Sequence, residues 1–292
     1  MGLPPLTTGR QRRGTVAPSA VKPLVNSLFE TSAMHTALAR AIEHAGTPRF
    51  WRQLVLLLRQ WVPFDNALAS FYPKDGAPLA LEEYDATPLP GPASSIQYLD
   101  GLYLLDPFYQ AAREGIASGF YRLEEVAPDH FHQTDYYLNY FHDHVLEDEV
   151  QYMLQLPEEG TLSLSLGMRQ RFDLDDLGKL TLCAPWILAL LEQHWSQARQ
   201  RVVTSAKADA RTSVGNALER FGEHILSDRE LEVARLTLRG YSSKATAERL
   251  GISPETVKVH RRHLYSKLDI STQPELFSLF IQSLELPGAT DR

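Results

Sequence analysis

The segment from Ser253 to Lys267 holds the residues of this chain that are best suited to contacting a nucleic acid. Between Lys258 and Lys267 there are four Lys or Arg residues and neither Asp nor Glu. Lys and Arg can donate hydrogen bonds to phosphate oxygens and to the O6 and N7 atoms of guanine, and an aliphatic side chain can contact a thymine methyl group. The chemistry that these residue types indicate is the binding of a nucleic acid.

The same segment is predicted to be a helix with one packing face and one basic face. Ser253 can cap free backbone N–H groups, and Pro254 fits the first helical position, where no N–H is needed. At helical spacing the packing face holds Val257, His260, Leu264 and Leu268, whereas Lys258, Val259, Arg261 and Arg262 point elsewhere. Gly251 and Ile252 form a turn after a second predicted helix, 244–250, so the pattern predicts a helix-turn-helix.

Charge is distributed unevenly along the chain. Residues 226–283 carry nine basic and seven acidic side chains, a formal charge of +2, whereas the whole chain of 292 residues carries −7. This asymmetry is typical of a protein in which one part meets phosphates and the rest does not.

Several short motifs in this region occur together and in register. They are Leu226-Ser-Asp-Arg-Glu230, Gly240-Tyr-Ser242, Ala247-Glu-Arg-Leu250, Ile252-Ser253, Thr256-Val-Lys-Val-His260 and Lys267-Leu268. Together they closely resemble the LuxR-type DNA-binding domain, over about a fifth of the chain. The resemblance implies four packed helices, of which the third lies in the major groove of DNA.

The resemblance also implies roles for individual residues. The DNA-contacting positions are the base-facing Lys258, Val259 and Arg262 and the phosphate-facing Thr256, Lys244 and Lys267. His260 is expected to pack inside the domain. The partner would be double-stranded DNA.

A fourth helix is predicted from Ser271 to Ser283. Its apolar side would hold Leu276, Leu279, Phe280 and Ser283. In the LuxR type this helix supplies a dimer contact, which implies a homodimer on a two-fold symmetric operator. The alternative is that the helix only closes the small domain.

Length and composition favour two domains in an ordinary globular protein. The hydrophobic fraction is 43% and the charged fraction 22%, which suits a folded chain. No apolar run approaches the length of a membrane span, and the N-terminus lacks an apolar signal core, so we expect a cytoplasmic protein without a membrane partner. The single cysteine, Cys183, excludes an intramolecular disulfide and fits a reducing compartment.

The predicted domain organisation has four parts. Residues 1–25, rich in Pro, Gly, Thr and Arg, are expected to be a flexible tail, 26–199 a sensory and dimerisation domain, 200–222 a linker, and 223–286 the DNA-binding domain. The fold class is α+β. The sensory part is predicted to be an α/β/α sandwich with an antiparallel sheet, resembling GAF, PAS or autoinducer-binding domains.

The elements of the sensory part follow from hydrophobic spacing. Two helices are expected between 26 and 62, and a later helix is expected to begin at Asp106-Pro107. The predicted strands are Asn66–Tyr72, Leu79–Tyr84, Glu149–Leu156 and Thr161–Met168, and the other predicted helices are Ser95–Leu105, Thr134–Phe141 and Leu174–Arg199. In the last strand, leucines alternate with Ser163, Ser165 and Gly167, so one face is core and the other is small and polar.

A ligand pocket is predicted around Tyr98-Leu-Asp-Gly-Leu-Tyr103-Leu-Leu-Asp106-Pro107 and the later Phe120-Tyr121. This part resembles autoinducer-binding domains, in which two Tyr residues, Asp-Pro and a Trp bind an acyl-homoserine lactone. Here one residue is missing between Tyr98 and Asp106, and Phe120 or Tyr121 stands where Trp is expected. The predicted ligand-binding residues are Tyr98, Tyr103, Asp106, Phe120 and Tyr121.

The ligand class stays open between two chemistries. A lactone-like effector follows from the resemblance, whereas tyrosine rings beside Asp106 would also suit a small amine, because ring faces and carboxylates attract cations. Asp106 could instead be only a helix cap, and the tyrosines only core residues.

Other functions have weaker support in the sequence. His130, His132, His142 and His144 form a dense group, but it falls in a predicted polar loop, so neither a metal nor another cofactor is predicted. No Gly-rich phosphate loop or nucleophile elbow is present, so an enzyme is not expected. The acidic arrangement of a phosphorylated receiver domain is missing before Val62.

The function predicted from the sequence is a LuxR-type transcriptional regulator controlled by a small effector bound in its N-terminal domain. The alternative is a regulator that needs no ligand, in which that domain serves only dimerisation or protein interaction.

Overall fold

A five-stranded antiparallel sheet, with strand order β2-β1-β5-β4-β3, organises the N-terminal part of the chain. The computed structural model describes residues 31–87, 98–141, 147–209, 218 and 221–285. The strands are β1 (Asn66–Pro73), β2 (Leu79–Asp85), β3 (Gly119–Arg122), β4 (Asp148–Leu156) and β5 (Gly160–Met168). The helices of this part are α1 (Ser32–Glu43), α2 (Phe50–Leu58), α3 (Pro107–Arg113), α4 (Leu123–Val126) and α5 (Leu174–Asp209).

One face of the sheet packs on α1, α2 and α5. Every second residue of the central strands points into this layer, as in Leu162, Leu164 and Leu166 of β5, all fully buried. Burying such a side chain contributes about 1.5–3 kcal/mol. The opposite face carries shorter and more polar side chains, and it is covered by a 3₁₀ turn (Leu102–Leu105), α3 and a π-helical turn (Tyr137–Phe141).

These observations confirm the α+β class and the α/β/α arrangement. The two predicted hairpins are present: β1 pairs with β2 and β4 with β5. Helix α5 extends to Asp209, beyond the predicted end at Arg199, so the first part of the predicted linker 200–222 is helical. The predicted tail 1–25 lies outside the described residues.

The prediction of a helical stretch from Ser95 to Leu105 was wrong in its second half. Gly101 has φ +129°, a left-handed conformation that interrupts a helix, and the chain resumes as the 3₁₀ turn. Residues 95–97 lie outside the described ranges. Asp106 is then extended, and its carboxylate caps α3 as predicted, accepting a hydrogen bond from the Phe108 N–H.

The C-terminal part is a four-helix unit. Its helices are α6 (Asp228–Leu238), α7 (Ser243–Leu250), α8 (Pro254–Lys267) and α9 (Gln273–Glu285). Ser253 caps α8 by accepting a hydrogen bond from the Thr256 N–H. The core of this unit includes the fully buried Leu264, Leu276 and Phe280, as predicted for the packing faces of α8 and α9. Ser283, which was predicted for the apolar side of α9, is exposed instead.

The two parts contact each other along the loop between α6 and α7. The His130 N–H donates to the Gly240 carbonyl at 2.9 Å, and the Ser242 N–H donates to Asp129 Oδ1 at 2.9 Å. A Cβ atom on Gly240, which has φ +92°, would lie 2.9 Å from the backbone of Phe131. Glycine is therefore needed at this point of close approach.

Candidate functional site

The exposed side of α8 carries the residues predicted to read DNA. Lys258 and Arg262 are exposed, and the branched aliphatic side chain of Val259 is 40% exposed. Val257 and Leu264, on the opposite side, are buried and fix the rotation of the helix about its axis. The third helix of the unit thus presents two cations and one apolar side chain on one surface, which suits base edges in a major groove.

The residues predicted to contact phosphate are also at the surface. Thr256 and Lys244 are exposed, at the first turns of α8 and α7. Lys258 pairs with Glu255 at 2.9 Å, and both side chains are largely exposed, so solvent screens the pair. Arg261 instead lies along the helix, with its guanidinium 3.2 Å from the Tyr265 hydroxyl.

Lys267 has an internal partner that the sequence did not reveal. Its ammonium donates to Glu230 at 2.6 Å, and the Ser227 N–H donates to the same carboxylate at 2.8 Å. Burial alone would raise the pKa of Glu230, but the hydrogen bonds from Lys267 and Ser227 outweigh it and lower the pKa to about 2. This ion pair ties the end of α8 to the start of α6, and the phosphate contact of Lys267 stays a prediction.

Lys267→Met is expected to destabilise the C-terminal unit by about 1–2 kcal/mol at pH 7. Because the folded pKa of Glu230 is depressed, the stabilisation is present above the ordinary value of 4.5 and is lost as the pH falls through about 2. Urea unfolding followed by circular dichroism between pH 2 and 7 measures this. Lys258→Met, which removes an exposed pair, is the control and should leave stability nearly unchanged; a similar loss in both variants would contradict the assignment.

A second candidate site is a cavity of about 50 Å³ on the polar face of the sheet. The sheet contributes Ser70, Tyr72, Glu149, Gln151 and Ser165, and the covering layer contributes Tyr98, Asp106, Tyr136 and Tyr140. A cavity needs about 10–15 Å³ to hold one water molecule, so this one has room for a small polar group.

Asp106 lies at the boundary between this cavity and α3. The Tyr98 hydroxyl donates to its Oδ2 at 2.6 Å, and the Phe108 N–H donates to its Oδ1 at 2.8 Å. The Tyr72 hydroxyl lies 3.2 Å from that of Tyr98 and extends the network. Burial raises the pKa of Asp106, against the opposing effect of these hydrogen bonds.

Glu149 is a second buried carboxyl group in the cavity, 5% exposed. Gln151 Nε2 donates to its Oε1 at 2.7 Å, and the Ser165 hydroxyl donates to the same oxygen. Burial, followed by the negative charge of Asp106, raises the pKa of Glu149. The hydroxyl of Ser70 is fully buried and has no hydrogen-bond partner among the described residues.

The structure brings only part of the predicted ligand set together. Tyr98 and Asp106 line the cavity, whereas Tyr103 is buried behind them, with its ring 6.2 Å from that of Tyr98. Phe120 packs on Tyr152, 5.0 Å away, in the layer on the other face of the sheet. The Tyr121 hydroxyl donates to the Ala117 carbonyl at 2.9 Å, and Tyr121 does not line the cavity.

The sequence did not identify Tyr72, Glu149, Gln151 or the tyrosines at 136 and 140 as cavity residues. The sequence signal that could have indicated Glu149 and Gln151 is the alternation of polar and apolar residues in β5. Gln151 of β4 pairs directly with Ser165 of β5, so residues next to the polar positions of β5 lie on the same polar face. Within the described residues no three His, Cys, Asp or Glu side chains are placed to hold a metal ion. His142 and His144, part of the histidine-rich stretch, lie outside the described residues.

Comparison with known proteins gives the family. The profile described as "Bacterial regulatory proteins, luxR family" matches residues 224–280, which contain α6, α7, α8 and the first part of α9. An HTH-type transcriptional regulator in the exeN 3′ region of Aeromonas salmonicida is 33% identical over 186 residues, which is 61% of this chain and 94% of that protein. The chain belongs to the luxR family. It is therefore a DNA-binding transcriptional regulator.

Two further comparisons separate the parts of this LuxR-family regulator. The structure of the VqsR LBD domain from Pseudomonas aeruginosa is similar with a TM-score of 0.52 and 36% identity, over 57% of this chain and 99% of that one. The oxygen regulatory protein NreC of Staphylococcus haemolyticus is 48% identical over 52 residues, 18% of this chain and 24% of its own length. The similarity to NreC is thus confined to a short segment, whereas the VqsR domain matches over more than half of the regulator.

None of the described helices of the regulator combines the length and the apolar character needed to cross a bilayer.

Proposed function

We propose that this LuxR-family regulator binds a small effector in the cavity at Asp106 and Glu149, and that the effector alters DNA binding by the C-terminal unit. The observation that carries the proposal is the position of α3. Asp106, which lines the cavity, caps the start of this helix, and Glu114, directly after its last turn, forms an ion pair with Arg249 of α7. At 1.5 Å per residue, α3 spans only about 10 Å between the two sites.

The contacts around this ion pair supply a route for coupling. Arg239 and Tyr241 lie with Pro107, Gln110 and Glu114 around a second void between the two parts. A ligand that shifts Asp106 would move α3 and so favour one docking of α7 over another. Such coupling requires the ligand to bind one arrangement more tightly than the other.

The DNA-binding part of the proposal assigns Lys258, Val259 and Arg262 to base edges and Thr256, Lys244 and Lys267 to phosphates. We propose that the regulator acts in the cytoplasm as a homodimer on a two-fold symmetric operator. The exposed cations of α8 and the exposed Val259 support this assignment.

Arg262→Ala is expected to lose about 1–3 kcal/mol of affinity for the cognate operator and to relax base preference at one position. Lys244→Ala should weaken binding to all sequences alike, because a phosphate contact carries no sequence information. The operator is first selected from a random duplex library with the full chain, and affinities are then measured by fluorescence anisotropy. Equal losses on operator and random DNA for Arg262→Ala would reject the base-reading role.

Effector control is tested on the same operator. A cavity ligand, found by thermal shift of the full chain, should change operator affinity. Glu114→Gln, which breaks the ion pair to Arg249, should reduce that change while the ligand still binds. Glu124→Gln, an exposed carboxylate paired with Arg122, is the matched control.

The alternative, an N-terminal domain that only dimerises, predicts a different result. No cavity ligand would then change operator affinity, and the concentration of the protein alone would set operator occupancy.

A further inference from the structure

The cavity holds two buried carboxyl groups, and the described residues around it supply no compensating cation. Asp106 and Glu149 are both 5% exposed, and Glu83 and Asp85 stand at its margin. None of the cavity residues within the described ranges is Lys, Arg or His. Burying a carboxylate without a partner is costly, and a partnered one is much less so. Whenever both groups are ionised, the site is therefore unbalanced towards negative charge.

The hydrogen bonds of the cavity leave acceptors available to a ligand. Both side chains that donate to Glu149 do so at Oε1, so they do not occupy Oε2. The Ser70 hydroxyl, 1% exposed, lines the cavity and has no partner among the described residues. Orphaned buried hydroxyls are uncommon in folded proteins, because an unmade hydrogen bond costs free energy. This hydroxyl is an independent indication that a polar group of a ligand belongs here.

Aromatic rings complete the wall opposite the sheet. The rings of Tyr136 and Tyr140 are stacked at 5.5 Å, and those of Tyr98 and Tyr140 at 6.5 Å. The face of an aromatic ring attracts a cation through its quadrupole. Tyrosine rings next to two carboxyl groups favour a positive charge over a neutral group of the same size.

We propose that the cavity selects a small organic amine in its ammonium form, held by Asp106 and Glu149 and by the Ser70 hydroxyl as a further acceptor. The proposal rests on the proposed function, since it names the effector class of the same cavity. A neutral amide could donate one hydrogen bond to Asp106, but it would leave Glu149 buried without a counter-charge. An ammonium group has three donors, which match three acceptors.

The test uses the full chain and small probes of matched size. Methylamine, n-butylamine and 1,4-diaminobutane are compared with the neutral n-butanol and butyramide and with N-butyryl-homoserine lactone. Thermal shift finds binding, and titration calorimetry measures it. We expect the amines to raise the melting temperature with dose, and the neutral compounds to have little effect. Glu149→Gln and Asp106→Asn should each weaken the amines at least about tenfold, as expected for a lost charge-assisted hydrogen bond.

Glu158→Gln is the matched control, because it removes an exposed carboxylate in the β4–β5 turn and should leave amine affinity unchanged. Stabilisation by the lactone or butyramide with no response to any amine would overturn the cation proposal and leave effector control intact. Equal amine affinity in wild type and Glu149→Gln would also overturn it. If no amine raises the melting temperature, the proposal is rejected. Operator binding by the same protein then tests the regulator function independently.

Discussion

Phe280→Ala is expected to remove about 3–5 kcal/mol from the stability of the C-terminal unit, enough to unfold a marginal domain. Phe280 is fully buried in α9, and its ring contacts that of Phe221 edge to face at 5.8 Å. Truncation removes this burial and leaves a cavity that the four short helices can close only in part. Operator binding should be lost as well, because α8 is held by the same core.

Two spectroscopic probes can separate this unit from the rest. All four tryptophans, Trp51, Trp61, Trp186 and Trp195, lie in the N-terminal part. In urea unfolding, circular dichroism at 222 nm should therefore show an early transition in Phe280→Ala while the tryptophan transition stays close to that of wild type. Ile225→Ala truncates a side chain that is 55% exposed and is the control. An equal shift in both probes would show instead that the two parts unfold as one unit.

Glu149→Gln is expected to stabilise the unliganded protein by about 2–4 kcal/mol at pH 8. Each unit by which folding raises the pKa of Glu149 above its ordinary value corresponds to ~1.4 kcal/mol. Gln is isosteric and can still accept the hydrogen bonds from Gln151 and Ser165, so the fold should be kept. The gain arises because burial, then the charge of Asp106, raises the pKa of Glu149 and makes its ionised form unfavourable.

The pH dependence of this effect has a definite sign. A carboxyl group whose folded pKa is raised binds its proton more tightly in the folded state, so wild-type stability falls as the pH rises above the ordinary value of 4.5. Among the described residues, no titratable group around the pair supplies a positive charge; these groups are Tyr72, Glu83, Tyr84, Asp85, Tyr98, Tyr136 and Tyr140. Thermal melts from pH 5 to 9 should show a slope that is reduced in Glu149→Gln and unchanged in Glu158→Gln. Parallel slopes in wild type and Glu149→Gln would contradict the assignment.

The raised pKa values of the two carboxyl groups also predict that a cationic ligand binds more tightly at higher pH. An amine stays protonated between pH 5 and 8, whereas the two carboxyl groups ionise over that range because their pKa values are raised. Binding of an ammonium group should therefore strengthen as the pH increases.

Local sequence signals were sufficient to predict which residues of α8 lie at the surface. Ser253, Pro254 and the spacing of Val257 and Leu264 are local signals, because a capped helix with one apolar stripe can pack in only one rotation. That rotation fixes which side chains stay outside, so Lys258, Val259 and Arg262 could be placed on the surface without a structure. The hairpin of β4 and β5 was also predictable from local sequence, because turn residues at 157–160 separate two strand patterns.

The residues that line the cavity, in contrast, could not be predicted from local sequence. A strand pattern of period two shows that two faces differ, but it does not show which face meets a ligand, because that depends on the layer packed against it. Phe120 was therefore expected in the site and lies on the other face, whereas Glu149 was not expected and faces Asp106, 43 residues earlier in the sequence. The pairing of β4 with β5, and of β5 with β1, brings these distant carboxyl and hydroxyl groups together. The ion pair between Glu114 and Arg249 likewise forms only because the two parts of the chain pack together, so no local sequence pattern could predict it.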